Sequence, residues 1–137
     1  MTEPRVALGA AVAPSLDDFA ALAAEAFAAL PEPFRGLAQQ VVCQVQDFPE
    51  DALLDDMGIE DAFELTGVYQ GPDIRDRSPL HLQGEVSHVI LFRRPILDEW
   101  AERGDVTLAE LITHVLVHEI GHHVGLSDAD IDAIEAR

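Results

Sequence analysis

The chain has 137 residues, 48% of them hydrophobic, which suits one domain around one core and is too apolar for a disordered segment. Its charge is lopsided: 8 basic residues, all of them arginine, stand against 26 Asp and Glu, a formal net charge of −18. That balance argues against nucleic acid and anionic membrane surfaces as partners, since both are held by cationic side chains, and leaves metal cations and basic or neutral peptides compatible.

The segment from Val6 to Pro14 has the small, apolar look of a leader core, but Glu3 and Pro4 stand where its positive flank belongs. A helix start follows directly, so a cytoplasmic protein is expected, with one domain over 1–137 and a flexible lead-in at 1–13. Ser15 with Asp18 forms a capping box, and Phe19, Leu22, Ala26, Phe27 and Leu30 recur at helical spacing up to Pro31 and Pro33. Residues 41–47 alternate like a strand. Within them Cys43, the single cysteine, can form no internal disulfide and reads as a small buried residue. A short helix is predicted over 49–57, released at Gly58, and a second strand over 64–70 with Leu65, Val68 and Tyr69 as its larger apolar residues. The stretch 71–84 has no period and is long for a connection, which marks a functional loop. Residues 86–92 form the strongest strand. Helices follow over 95–103 and 107–124, the latter opened by Thr107 as N-cap with Glu110 at the capping-box position, and a last short helix after Asp128. No run of the sequence reads as a membrane span. Three strands among about five helices predict an α+β domain, a small mixed sheet packed on the long helix with N- and C-terminal helices beside it.

The long helix carries His118-Glu119-Ile120-Gly121-His122. Residues four apart on a helix differ by about 40° around its axis, so His118 and His122 project toward one point and can ligate one Zn²⁺. Glu119 sits about 100° further round, beside the metal, where its carboxylate can take a proton from water. Leu108, Leu111, Ile112 and Val115 give the preceding turns an apolar face, so the motif lies on a helix that packs. Gly125 is placed to reverse the chain in a left-handed conformation, which can return Asp128 as a third ligand. Two neutral imidazoles and one carboxylate leave a fourth position open, as catalytic zinc requires. The alternative for Asp128 is a cap on the terminal helix, since Ser127 and Asp128 precede it.

The stretch from His118 to Asp128 resembles the zincin metallopeptidases that carry an extended His-Glu-x-x-His-x-x-Gly-x-x-Asp signature. More closely, the chain resembles the minimal bacterial zincin-like metallopeptidase family. The likeness is carried by Leu65-Thr66-Gly67-Val68-Tyr69-Gln70-Gly71 with Arg77-Ser78, by Val89-Ile90-Leu91-Phe92-Arg93-Arg94-Pro95-Ile96-Leu97, and by the metal motif through His123 and on to Asp128. The resemblance implies zinc at His118, His122 and Asp128, Glu119 as general base, a peptide or protein substrate, and a small sheet over the active-site helix. Metzincins place a third His where this chain has Asp128 and add a methionine turn; the methionines here, Met1 and Met57, both lie upstream.

Other residues are weighed against these. His114, one turn before His118, is a lesser ligand candidate and otherwise lies behind the ligands; His123 is turned away from His122, and His88 sits in the central strand as a core or rim histidine. For the oxyanion, Tyr69, Arg75 and Arg77 are the candidates, with Arg77 favoured by its place in the family-like stretch. An extended peptide is expected along an edge strand, with the loop 71–84 as one wall. The alternatives are a metal-binding or partner-binding protein that keeps the site without peptidase activity, and a helical scaffold with an accidental motif. Affinity alone does not select zinc over other divalent metals, and the sequence carries no signal for an oligomeric state.

Overall fold

The central strand sets the architecture. Val89-Ile90-Leu91-Phe92 is apolar without interruption, the pattern of a strand covered on both faces. In the computed structural model, which describes residues 9–71 and 87–136, this strand is β3 (Ser87–Phe92) and lies between β1 (Val41–Gln46) and β2 (Gly67–Gln70). β1 runs parallel to β3, with Cys43 opposite Val89, and β2 runs antiparallel, with Tyr69 opposite Val89. The side chains of β3 divide by the two-residue period of a strand. Val89 and Leu91 enter the larger core and Ile90 and Phe92 the smaller one.

Six helices surround this sheet among the described residues: α1 (Leu16–Ala28), α2 (Phe34–Leu37), α3 (Asp51–Met57), α4 (Arg93–Arg103), α5 (Leu108–His123) and α6 (Asp128–Glu135). The larger core joins Phe19, Ala23 and Leu30 from α1 and its exit to Phe34, to the buried face of α5 and to Ile131 of α6. The smaller core, under α3, gathers Leu54, Leu65 and Val68 against Ile90 and Phe92. The α+β class with a small mixed sheet and flanking helices is the one expected.

Several boundaries differ from expectation. Glu64 belongs to a 3-10 turn (Ala62–Glu64) because the Asp61 carboxylate accepts from the Phe63 N–H at 3.0 Å, so the second strand begins at Gly67. α4 starts at Arg93, directly after β3, and Pro95 lies inside its first turn, where a missing N–H costs nothing. Asp47, just past β1, anchors that start: its carboxylate takes Arg93 Nε at 2.6 Å and its carbonyl takes the Arg94 N–H at 3.1 Å. The short helix begins at Asp51 and ends on Gly58 at φ +68°, the left-handed release its glycine suggested. α1 stops at Ala28, two residues short of Leu30, and the turns from Phe34 to Gln40 were not anticipated. The lead-in residues 1–8, all of the loop 71–84 beyond Gly71, and the first residue of the 86–92 strand fall outside the described residues.

The arrangement of α5 and α6 positions the candidate site. Thr107 caps α5 as expected, its Oγ1 accepting from the Glu110 N–H at 3.1 Å while Glu110 accepts from the Thr107 N–H at 3.0 Å. At the other end Gly125 takes φ +85°, its N–H donating to the His122 carbonyl (3.1 Å) and the Leu126 N–H to the Gly121 carbonyl (3.0 Å). That is a Schellman closure, which only a residue free of left-handed strain makes cheaply. The chain then turns back and lays α6 on α5 across Gly121. A Cβ at Gly121 would meet Ile131 Cδ1 at 2.7 Å, Ile131 Cγ1 at 2.9 Å and Phe34 Cε1 at 3.2 Å.

Two opposing effects decide a Gly121→Ala change. Alanine gains about 1 kcal/mol of helix propensity, whereas overpacking costs about 1–3 kcal/mol. Ile131 is fully buried and has nowhere to move, which puts the cost at the upper end of that range, and a net loss of about 2 kcal/mol is expected. A thermal melt would show it as a lowered midpoint; a raised midpoint would mean that this close approach is not a constraint.

Candidate metal centre

His118 is held within the α5 surface, its side chain 18% exposed. Its Nδ1 lies 3.0 Å from the carbonyl oxygen of His114, one turn back. A carbonyl only accepts, so Nδ1 carries the proton and donates, and Nε2 keeps its lone pair. This is the way proteins orient a metal-ligating imidazole. Nε2 faces carboxylates on α6, 4.0 Å from Asp128 Oδ1 and 3.9 Å from Asp132 Oδ1. His122, one turn on, has Nε2 at 2.8 Å from Asp128 Oδ1. The His118 and His122 rings stand 5.7 Å apart and nearly perpendicular.

Asp128 reaches this point as the first residue of α6, and its side chain is 77% exposed. The capping role open to it falls instead to Ser127, whose hydroxyl accepts from the Asp130 N–H at 3.1 Å while Asp130 accepts from the Ser127 N–H. The Asp128 carboxylate is therefore left for the histidines. Two ligands of a tetrahedral zinc, each about 2.0–2.2 Å from the ion, lie about 3.3 Å apart. The 2.8 Å and 4.0 Å separations of Asp128 from His122 and His118 bracket that value. Among the described residues, the set of three whose ligand atoms all lie within 4.8 Å of one another is His114, His118 and Glu135.

Glu119 lies further round the helix against β2, close enough to His122 and His118 to feel their charge. Thr66 accepts from the Phe92 N–H at 2.9 Å, so alternation turns the main-chain groups of Gly67 and Tyr69 away from β3 to the outer side of β2. The Tyr69 N–H there bonds to the Glu119 carboxylate. Burial raises this carboxyl to about 7, while His122, His118 and the Tyr69 N–H pull it the other way. Gly67 makes the approach possible: a Cβ there would come within 2.8 Å of Val115 Cγ1 and 3.5 Å of Glu119 Cγ.

The other histidines among the described residues separate clearly. His114 places Nδ1 3.3 Å from Glu135 Oε1, beside the His118 ring. His123 stacks on Tyr69 with ring centroids 3.8 Å apart. His88 sits in β3 opposite Val42 and Gln70, with a buried Nδ1 that has no hydrogen-bond partner among the described residues. Of the oxyanion candidates, Tyr69 is 4% exposed, and Arg75 and Arg77 lie outside the described residues. Cys43 lines a recess with Ala20, Ala24 and Phe27 of α1, and burial pushes its thiol up to about 11. Asp132 and Glu135 were missed by sequence reading. The signal was available, since they follow Asp128 by four and seven residues on one helix face, but it resembles any solvated acidic stripe.

The His118 geometry fixes a tautomer. In the neutral ring of the metal-free protein, long-range ¹H–¹⁵N correlation is expected to show a protonated Nδ1 and an unprotonated Nε2. The opposite pattern would break the link between the His114 carbonyl and a lone pair on Nε2.

Among the described residues no helix is long and apolar enough to cross a membrane. No curated protein matches the chain. A family model described as zincin-like metallopeptidase matches residues 38–137, a span that takes in the whole sheet, α5, the reversal at Gly125 and α6. By that match, over most of its length, the chain belongs to the zincin-like metallopeptidase family.

Proposed function

We propose that this chain is a zinc-dependent peptidase in which His118, His122 and Asp128 hold the metal and Glu119 is the general base. The observation that carries this reading is the His118 hydrogen bond to the His114 carbonyl, which turns the Nε2 lone pair toward the Asp128 carboxylate. Two imidazole nitrogens and one carboxylate oxygen form a donor set that suits zinc and leaves room for water. Zinc bound there supplies Lewis acidity, making water more acidic and a carbonyl more electrophilic.

The chain's own residues supply the proton transfers and the positioning. Glu119, desolvated against β2 and steadied by the Tyr69 N–H, has a carboxyl raised to about 7. A nearby cation would draw that value down again and favour the carboxylate. In that form an oxygen of Glu119 takes a proton from the attacking water and returns it to the departing amine. Gly67 turns its main-chain groups to the same outer side of β2, where an extended peptide could add as a further strand. A net charge of −18 favours basic or neutral peptides over acidic ones.

A second reading, a metal-binding or partner-binding protein without peptidase activity, draws support from Tyr69. The phenol ring offered for the oxyanion is buried and stacked on His123. One experiment separates the two. Wild type and Glu119→Gln, both loaded with zinc, are incubated with a peptide library. Equal zinc content is expected, with cleavage lower in the variant by about 100-fold or more. His118→Ala should lose the zinc of this site. Cleavage that persists in Glu119→Gln removes the general-base assignment, and zinc-loaded wild type that cleaves nothing favours the second reading.

A further inference from the structure

The motif occupies only one end of a longer arrangement. His114, His118 and His122 form a stripe along α5, and Asp128, Asp132 and Glu135 form a stripe along α6. The two stripes run antiparallel. They meet as His122 on Asp128 at 2.8 Å at one end and His114 on Glu135 at 3.3 Å at the other. His118 lies between, with Nε2 toward Asp128 and Asp132 and Nδ1 toward Glu135 at 3.9 Å.

We infer that the His114 end is a second divalent-cation site, with His114 and Glu135 as its ligands and the His118 ring beside it. Ligand atoms of His114, His118 and Glu135 all lie within 4.8 Å of one another. The 3.3 Å between His114 Nδ1 and Glu135 Oε1 matches the separation of about 3.3 Å that two ligands of a tetrahedral ion require. The pair also borders a recess of about 200 Å³ that Glu110 helps to line, so water can complete the coordination and a further carboxylate stands near. Arg103 on the same rim is paired with Glu99 at 2.8 Å. The site is the weaker of the two. His118 Nδ1 already donates to the His114 carbonyl, so the second cation rests on two protein ligands, and it fills after the motif.

The inference does not depend on peptidase activity, and the test reads metal content alone. Metal-free full-length protein is titrated with zinc, and bound metal is counted after equilibrium dialysis. Wild type should take two equivalents, and His114→Ala and Glu135→Gln one each. His122→Ala should also take one, retained at the second site. Glu135→Gln, near the end of α6, keeps the count interpretable if His114→Ala lowers the helical circular dichroism. A single wild-type equivalent that His122→Ala loses and His114→Ala keeps overturns the second site and leaves the motif reading standing. A second equivalent that survives in both His114→Ala and Glu135→Gln also overturns it. A single equivalent lost in His114→Ala and Glu135→Gln but kept in His122→Ala supports the site and overturns the motif reading instead.

Discussion

α6 rests on α5 at the one position of the motif that has no side chain. Gly121 admits Ile131 to a distance at which any Cβ would clash, and Gly125 reverses the chain so that Ile131 arrives there. The two glycines act together. Without the left-handed turn α6 would leave along another direction, and without the flat surface at Gly121 it would stand off from α5. Ile131 is fully buried in the larger core, so hydrophobic burial holds the acidic stripe of α6 over the histidines. Packing energy thus assembles a set of polar groups that would not gather on their own.

The same helix divides its chemistry by angle. One side of α5 gives imidazoles to the carboxylates of α6, in partly solvated surroundings where acidic charge is tolerated. The other gives Glu119 to β2, where burial disfavours its charge and a main-chain N–H compensates in part. β2 has a second role in this, because strand alternation turns Gly67 and Tyr69 outward beside Glu119. A strand shifted by one residue would present Val68 there instead and bury Glu119 against an apolar side chain.

Much of this was legible from residue types and spacing. Residues 86–92 read as the strongest strand of the chain, and Thr107 with Glu110 fixed where the long helix begins. His118, Glu119 and His122 share a face because 3.6 residues make a turn, and Gly125 reads as a reversal because only glycine adopts that backbone cheaply. Local conflicts were harder. Asp61 captures a backbone N–H and shortens the second strand, and Pro95 sits inside a helix that sequence reading began at that residue. Each turns on which of two permitted local bonds forms, and neighbours distant in sequence, such as Asp47, tip the balance.

The sequence by itself therefore determined the three strands and the longer helices, the helical face of the metal motif and the reversal after it, since these depend on short-range geometry that every helix and turn shares. Bonds within a single helix decide which nitrogen of His118 faces outward and that Ser127 caps the last helix, whereas only the tertiary structure decided that Asp132 and Glu135 join the histidine stripe. That outcome depends on the distance and angle between two packed helices. The depth at which Ile131 seats on Gly121 sets both, and no periodicity in the chain encodes it.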